Sequence, residues 1–431
     1  MSERQVESQE LLGQVALIID PHPSHRAPEE VIEGVPFAGI GDLNEAGKLL
    51  PGKGRTVPVK TLVEHALRYK LTSNTIGFGR VATIGKVVDF REIISDLTVS
   101  PTMAVIEPIA IDKGFLLAAL QGEMVRKKID QWLTGSTRSS LGIELLREIP
   151  LPRFEGQIQK TIGDIYRVLV TTIEKTEALI EKYQQIKAGL MHDLFTRGIG
   201  ADGKLRPPRE QAPDLYQQTS IGWIPKEWDI KPCSTLCSRI CVGIVIKPAQ
   251  YYVEEGIPAF RSANIREAGI DPSNLVYISS TSNQLLAKSQ IKTGDILSVR
   301  TGYPGTSAVV PEDFDGANCI DILISTPGDR VLSEYLCNWI NSSLGKGQVL
   351  RQQGGMAQQH FNVSEMNQLL VALPNLSEQS LISDRLQTCA DRILAEEAKL
   401  KKLEKQKSGL LHDLLTGKVE VEADQPEAAH V

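Results

Sequence analysis

Apolar residues recur at alternating steps of four and three between 162 and 190. They are Ile162, Tyr166, Leu169, Ile173, Ile180, Tyr183 and Leu190, and Thr176 and Lys187 occupy two of the expected positions. The same steps run through Ile382, Leu386, Cys389, Ile393, Leu400, Leu403 and Leu410, with Glu396 and Lys407 at the matching interruptions. Steps of four and three put one stripe along a helix, with the heptad period of a coiled coil. The pattern predicts two long amphipathic helices, near 157–195 and 377–416. Leu151-Pro152 and Leu373-Pro374 stand just ahead of them, where proline is common. Each helix is about 57 Å long at about 1.5 Å per residue. A polar helix of that length is stable only when its stripe is buried. The other copy is the economical partner, packed antiparallel.

The helices close on an echo: "GLMHDLFTRG" at 189–198 and "GLLHDLLTGK" at 409–418. Further echoes precede them. "GVPFAGIGDLNEAG" (34–47) faces "GIPAFRSANIREAG" (256–269), and "TIGKVVDF" (83–90) more loosely faces "YPGTSAVVPEDF" (303–314). The chain is therefore an internal duplication, with a globular unit before each helix. "RGIGADGKLRPPREQAPDLYQQ" (197–218), rich in Gly, Pro and charge, reads as an exposed linker. The end, "KVEVEADQPEAAHV", reads as a disordered acidic tail.

Within the globular units the apolar runs are short. "ILSVR" (296–300), "SAVVP" (307–311) and "CIDILIST" (319–326) predict strands, as do "RVATIGKVV" (80–88) and "TMAVIEP" (102–108). Residues 330–342 and 114–133 each predict a helix. Both units are α+β.

Composition adds limits. The 431 residues allow two to three domains, and 41% apolar content is ample for real cores. No run approaches a membrane span, and the polar N-terminus lacks a secretory segment. The six cysteines all lie beyond residue 232, which fits a reducing cytoplasm better than a disulfide framework. The net charge of −6 argues against a protein that coats nucleic acid, though not against local patches. Such patches exist. No Asp or Glu falls between Glu334 and Glu365, a window holding Lys346, Arg351 and His360 among glutamines and glycines. Residues 65–88 and 132–142 are also acid-free. Arg and Lys neutralise phosphates, and Arg, Asn and Gln read base edges. A pair of solvated polar loops would look the same.

Other motifs carry less. Cys233, Cys237 and Cys241 are spaced by four, which predicts a buried helix face, and no fourth ligand for zinc stands nearby. His22 and His25 read as loop residues, able to contact DNA but weak as metal ligands. "GDLNEAGKLL" (41–50) fails as a phosphate loop: the spacing is wrong and Leu follows the lysine. His192-Asp193 and His412-Asp413 sit at helix ends, a structural or docking position. An adenine methyltransferase's Asp/Asn-Pro-Pro-Tyr/Phe quartet is lacking.

The ordered set resembles the specificity subunit of type I restriction–modification systems. "GWIPKEW" (222–228) with "ICVGI" (240–244) is similar to the opening of that family's target recognition domain. "GIPAFRSANI" (256–265), "GDILSVRTGYPGTSAVV" (294–310) and "GMAQQHFNVSEMNQLLVALP" (355–374) follow in the family's order. "KSGLLHDLLTGKV" (407–419) is similar to the end of its helical region and "KAGLMHDLFTRGI" (187–199) to the internal copy. The first unit departs, with "IIDPHPSHRAPEE" (18–30) in place of the Gly-x-Ile-Pro-x-x-Trp opening. The two units should therefore read different sequences.

The resemblance implies a definite plan. Target recognition domain 1 covers 1–152, helix 1 of the coiled coil 153–197 and the linker 198–218. Target recognition domain 2 covers 219–374, helix 2 covers 375–417 and the tail 418–431. The seam is Ile162, Leu169, Ile173, Ile180 and Tyr183 against Ile382, Leu386, Ile393, Leu400 and Leu403, under an internal pseudo-two-fold. The subunit is non-catalytic and cytoplasmic, with no metal or cofactor of its own. Each unit reads half of a split, asymmetric site on double-stranded DNA. The helices dock two adenine methyltransferase subunits, which carry S-adenosylmethionine, and motor-nuclease subunits bring ATP and Mg. With the acid-free windows, the resemblance nominates DNA contacts at Arg80, Thr83, Lys86 and Arg138 in the first unit. In the second it nominates Arg261, Asn264, Arg300, Tyr303, Lys346, Arg351, Gln358, Gln359 and His360. The alternative is a coiled-coil adaptor whose two units bind proteins or peptides.

Overall fold

The structure, a computed structural model, describes residues 9–22, 24, 27–134, 140–352 and 360–421. Arg138, Gln358, Gln359, His25 and the tail from 422 lie outside the described residues. The chain forms two compact units. Unit 1 joins the residues up to Ala178 to those from Ala398, and unit 2 is Leu179–Glu397.

In unit 1 an antiparallel sheet runs Ala16–Ile19, Met103–Pro108, Ile76–Gly79 and Val87–Asp89. Beside it Arg55–Val57, Val35–Ala38 and Thr98–Val99 form a second sheet, the last pair parallel. Unit 2 repeats the order. Cys237–Val242, Ile322–Pro327, Ile296–Val299 and Ser307–Val309 make the first sheet. The second sheet runs Tyr252–Val253, Val276–Ile278, Ile257–Phe260 and Asn318–Cys319, again ending on a parallel pair. An unbroken apolar run gives a strand buried on both faces. Ala104, Val105 and Ile106 in one unit, and Ile322, Leu323 and Ile324 in the other, are wholly buried.

Three element predictions are corrected. Residues 80–86 form a loop between two strands: Ala82 and Gly85 turn the chain at φ 60° and 83°, and at Gly79 a Cβ would lie 2.1 Å from Thr83 O. The helix over 114–133 is two, Lys113–Leu120 and Glu123–Leu133. They part at Gly122, where a Cβ would come within 2.9 Å of Leu415. Cys233, Cys237 and Cys241 share no helix face: a single turn, Cys233–Leu236, passes directly into the strand Cys237–Val242.

The long helices are Gly156–Thr196 and Leu376–Leu415. Unit 1 packs Ile162, Tyr166 and Val170 of the first helix into the same core as Leu411, Leu414 and Leu415 of the second. Unit 2 packs Ile382 and Leu386 of the second with Leu194 and Phe195 of the first. In each unit the start of one helix meets the end of the other, so the helices run antiparallel. The "GLxHDLxT" echo is thus a plug. Its leucines and Phe195 enter the core of the unit where the helix ends, and Phe195 lies edge-on to Tyr335 and Trp339, with centroids 5.5 and 5.2 Å away.

The seam's interruptions have physical reasons. Thr176 is buried, its hydroxyl donating to the Thr172 carbonyl at 2.9 Å. Lys407 lies over the Tyr166 ring, 5.4 Å from its centroid.

Each helix is tied to its unit by a buried glutamine. Gln159 accepts from Asp112 N at 3.1 Å and donates to Phe154 O at 2.9 Å. Gln379 accepts from Leu332 N at 2.9 Å and donates to Pro374 O at 2.9 Å and Arg330 O at 3.0 Å.

The linker is not simply exposed. Glu378 at the start of the second helix accepts from Ile199 N at 2.7 Å, Arg206 Nη1 at 2.5 Å and Trp228 Nε1 at 3.1 Å. Arg206 and Ile199 are buried as a result. At the other end, Gly417 turns the chain at φ 70°, and Val421 packs half-buried on the unit 1 core.

Candidate nucleic-acid interface

In unit 2 the strand Ile296–Val299 leads into a tight loop. Gly305 N donates to Val299 O at 2.9 Å, and Thr306 N donates to Tyr303 O at 3.2 Å. Gly302 and Gly305 supply the positive φ values, 87° and 84°, that the turn requires. Arg300 braces its base. Its Nε donates to Phe361 O at 3.3 Å, its Nη1 pairs with Asp321, and Phe361 N returns a bond to Arg300 O at 2.9 Å. Tyr303 stands at the tip, 82% exposed. Val349 packs under Gly305 from the helix Ser343–Gln352, the same helix that carries Arg351 into solvent. His360 is exposed beside buried Phe361.

Unit 1 builds the same loop 220 positions earlier. Gly85 N donates to Gly79 O at 2.9 Å, and Lys86 N donates to Thr83 O at 3.3 Å. Arg80 Nε donates to Leu141 O at 3.1 Å, and Leu141 N returns to Arg80 O at 2.8 Å. The acid differs: Asp20, from the end of another strand, accepts from Arg80 Nη1 at 2.8 Å. Two copies thus keep the arginine brace and differ in its counter-charge and in the exposed tip, Thr83 against Tyr303.

The nominated residues therefore sort by what they touch. Thr83, Tyr303, Arg351 and His360 are exposed. Arg80 and Arg300 are only 15% and 18% exposed, with carboxylates already in place. Lys86 donates to Leu43 O at 2.7 Å, and Lys346 pairs with Glu267. Arg261 is half-buried, donating to Asn274 O at 2.7 Å. Asn264 lies deeper than the others. It is buried, accepts from Arg261 N at 2.9 Å and donates to Asp271 O at 3.0 Å and Ser273 O at 2.8 Å. Both amide protons are spent on its own loop.

His22 is also not an open loop residue. Its Nδ1 lies 2.8 Å from Nε2 of buried His65, whose Nδ1 meets the Thr98 hydroxyl. Tyr69 bonds the same hydroxyl at 2.9 Å. Burial, and then the charge of His22, hold His65 below its ordinary pKa. Burial lifts Tyr69 above its own. The sequence carried no signal for His65, because its partners lie 33 and 43 positions away. Among the described residues no group of three or more His, Cys, Asp or Glu could hold a metal ion. Among them no helix is long and apolar enough to cross a membrane.

Two α+β units, each closed by a long helix that ends in the other, define a duplicated scaffold with a braced loop in each half. Residues 226–405 match the family described as "Type I restriction modification DNA specificity domain". That match covers most of unit 2 and the helix that follows it, and the chain is similar there to specificity subunits of type I restriction–modification systems. It is 23% identical to the type I restriction enzyme MjaVIII specificity subunit of Methanocaldococcus jannaschii, over 64% of this chain and 62% of that one. It is 23% identical to the putative MjaX specificity subunit of the same organism, over 90% and 88%. In fold it is similar to the crystal structure of a type I restriction–modification S subunit from M. genitalium, with a TM-score of 0.57 at 13% identity, covering 96% of this chain and 97% of that one.

Proposed function

We propose that this chain is the DNA-reading subunit of a type I restriction–modification complex. It binds duplex DNA at a bipartite, asymmetric site and directs adenine methyltransferase and motor-nuclease subunits to it. Residues 1–152 read one half and 219–374 the other. One observation carries this reading: the arginine-braced loop that recurs in both units with different exposed tips. A common frame with unlike tips is what two readers of unlike sequence require. Thr83 with Arg138 serve the first half. Tyr303, Arg351, Gln358, Gln359 and His360 serve the second. Arg80, Arg300 and Asn264 position these loops, and Lys86, Arg261 and Lys346 flank them.

Phosphate contacts supply affinity and base edges supply specificity. A single small unit discriminates weakly, and tethering two multiplies their effect through effective concentration.

The test is selection from a random-sequence duplex library by the full chain assembled with its methyltransferase subunits. The expected product is a motif of two unlike halves around an unread spacer, bound with steep inverse salt dependence. Absent or salt-insensitive duplex binding would support a protein-binding adaptor instead.

A further inference from the structure

One stretch of unit 2 exposes apolar side chains for which the fold offers no use. Ile244 is strapped in place: its N–H donates to Cys319 O at 2.8 Å, and its carbonyl accepts from Asp321 N at 3.0 Å. Directly after the strap, Val245 and Ile246 come out into solvent, 50% and 78% exposed. Lys247 then turns the chain at φ 42°, and Pro248 opens the single turn Pro248–Tyr251. Adjacent large aliphatics on a fixed loop form a small apolar edge with a cation beside it.

That edge is joined to the candidate interface. Asp321, whose N–H closes the strap, is the same residue whose carboxylate braces Arg300. The loop of Val245 and Ile246 and the loop of Tyr303 are thus anchored on one residue. The two units differ in sequence at this place. Ile19 faces Val105 as Cys241 faces Ile324, so the strands align. Four and five positions further along the sequence unit 1 has Pro23 and Ser24 where unit 2 has Val245 and Ile246.

We infer that Val245 and Ile246 are an apolar reader for the 5-methyl group of thymine in the half-site bound by unit 2. The inference rests on the DNA-reading function proposed above. Thymine's methyl is the apolar group that a base pair presents in the major groove. Lys247 is placed to neutralise a neighbouring phosphate. The result is a preference for an A·T pair in one orientation, confined to one half of the site.

The test uses the duplex selected by the assembled complex. The half-site of unit 2 is identified by exchanging 219–374 for the corresponding segment of a relative. Each thymine of that half is replaced singly by deoxyuridine, which keeps the pairing edge and removes only the methyl. At one position the replacement should weaken binding about fourfold, the value of burying one such group. Ile246→Ser should bind both duplexes equally, with its response in the other half-site unchanged. Val245→Ser should narrow the same gap. Indifference of the wild-type chain to every replacement overturns the inference, and so does an Ile246→Ser chain that keeps the full preference. A chain that selects no duplex overturns the DNA-reading function and this inference with it. A methyl-blind half-site overturns this inference alone.

Discussion

A guanidinium that already holds a carboxylate and a carbonyl has little of its fork left for a guanine. Arg300 and Arg80 are in that position, and this decides what their loss should do. Arg300→Ala removes the brace between the loop, Asp321 and Phe361. Tyr303 would then have no fixed base to stand on. Affinity for the half-site of unit 2 should fall about tenfold, within the cost of one mismatched pair, while the half-site of unit 1 is read as before. Competition binding with duplexes altered in one half at a time measures this, and equal weakening of both halves would refute one unit per half. A second prediction concerns protons. His65 is held below its ordinary value by burial and by His22. As pH falls through about 6.5, the unfolded chain takes up a proton that the folded chain refuses. Stability of unit 1 is therefore fully present above that pH and is lost progressively down to the lowered folded value. The midpoint of unit 1 unfolding should drop on acidification, and His65→Gln should reduce that drop. An unaltered pH slope in the variant would remove His65 as the cause.

At the scale of elements, the helix ends are where energy is concentrated. Phe195 is wholly buried between Tyr335 and Trp339. Phe195→Ala should cost about 3–5 kcal/mol through lost burial and a residual cavity. Urea unfolding followed by Trp339 fluorescence reads that cost directly, and a loss under about 1 kcal/mol would mean the plug does not seat. Both helices were legible because a seam is periodic: Ile162, Ile180, Ile382 and Ile393 are buried at the steps the sequence sets. The plugs were visible as an echo, but not their destination, since no local pattern says which core receives Phe195. Gln159 and Gln379 were invisible for a related reason. A glutamine on a polar helix signals nothing until the backbone groups it satisfies, 47 positions away, are folded around it. The loop at 80–86 read as a strand because Val81, Thr83 and Ile84 are β-branched, whereas the positive φ of Ala82 and Gly85 governs its backbone. At the site, Arg80 and Arg300 were legible as important, but the acids that occupy them come from Asp20 and Asp321, places no spacing rule connects. Asn264 was nominated for its chemistry, and the fold spends that chemistry on Asp271 and Ser273.

For the whole molecule, the proposed division of labour makes helix length a functional variable. If the helices fix the distance between two readers, a matched change in both should move the readers without touching either. Seven residues inserted within 174–181 and seven within 394–401 keep the heptad seam in phase. They add about 10 Å to each helix, which is about three base pairs at about 3.4 Å each. The complex should then select the same two half-sites around a spacer longer by that amount, a change visible by sequencing the selected duplexes. Inserting the seven residues in one helix only should lose the site, because the seam can no longer pair over its full length. A lengthened pair that still demanded the original spacer would show that the distance is set elsewhere, by the methyltransferase subunits or by bending of the DNA.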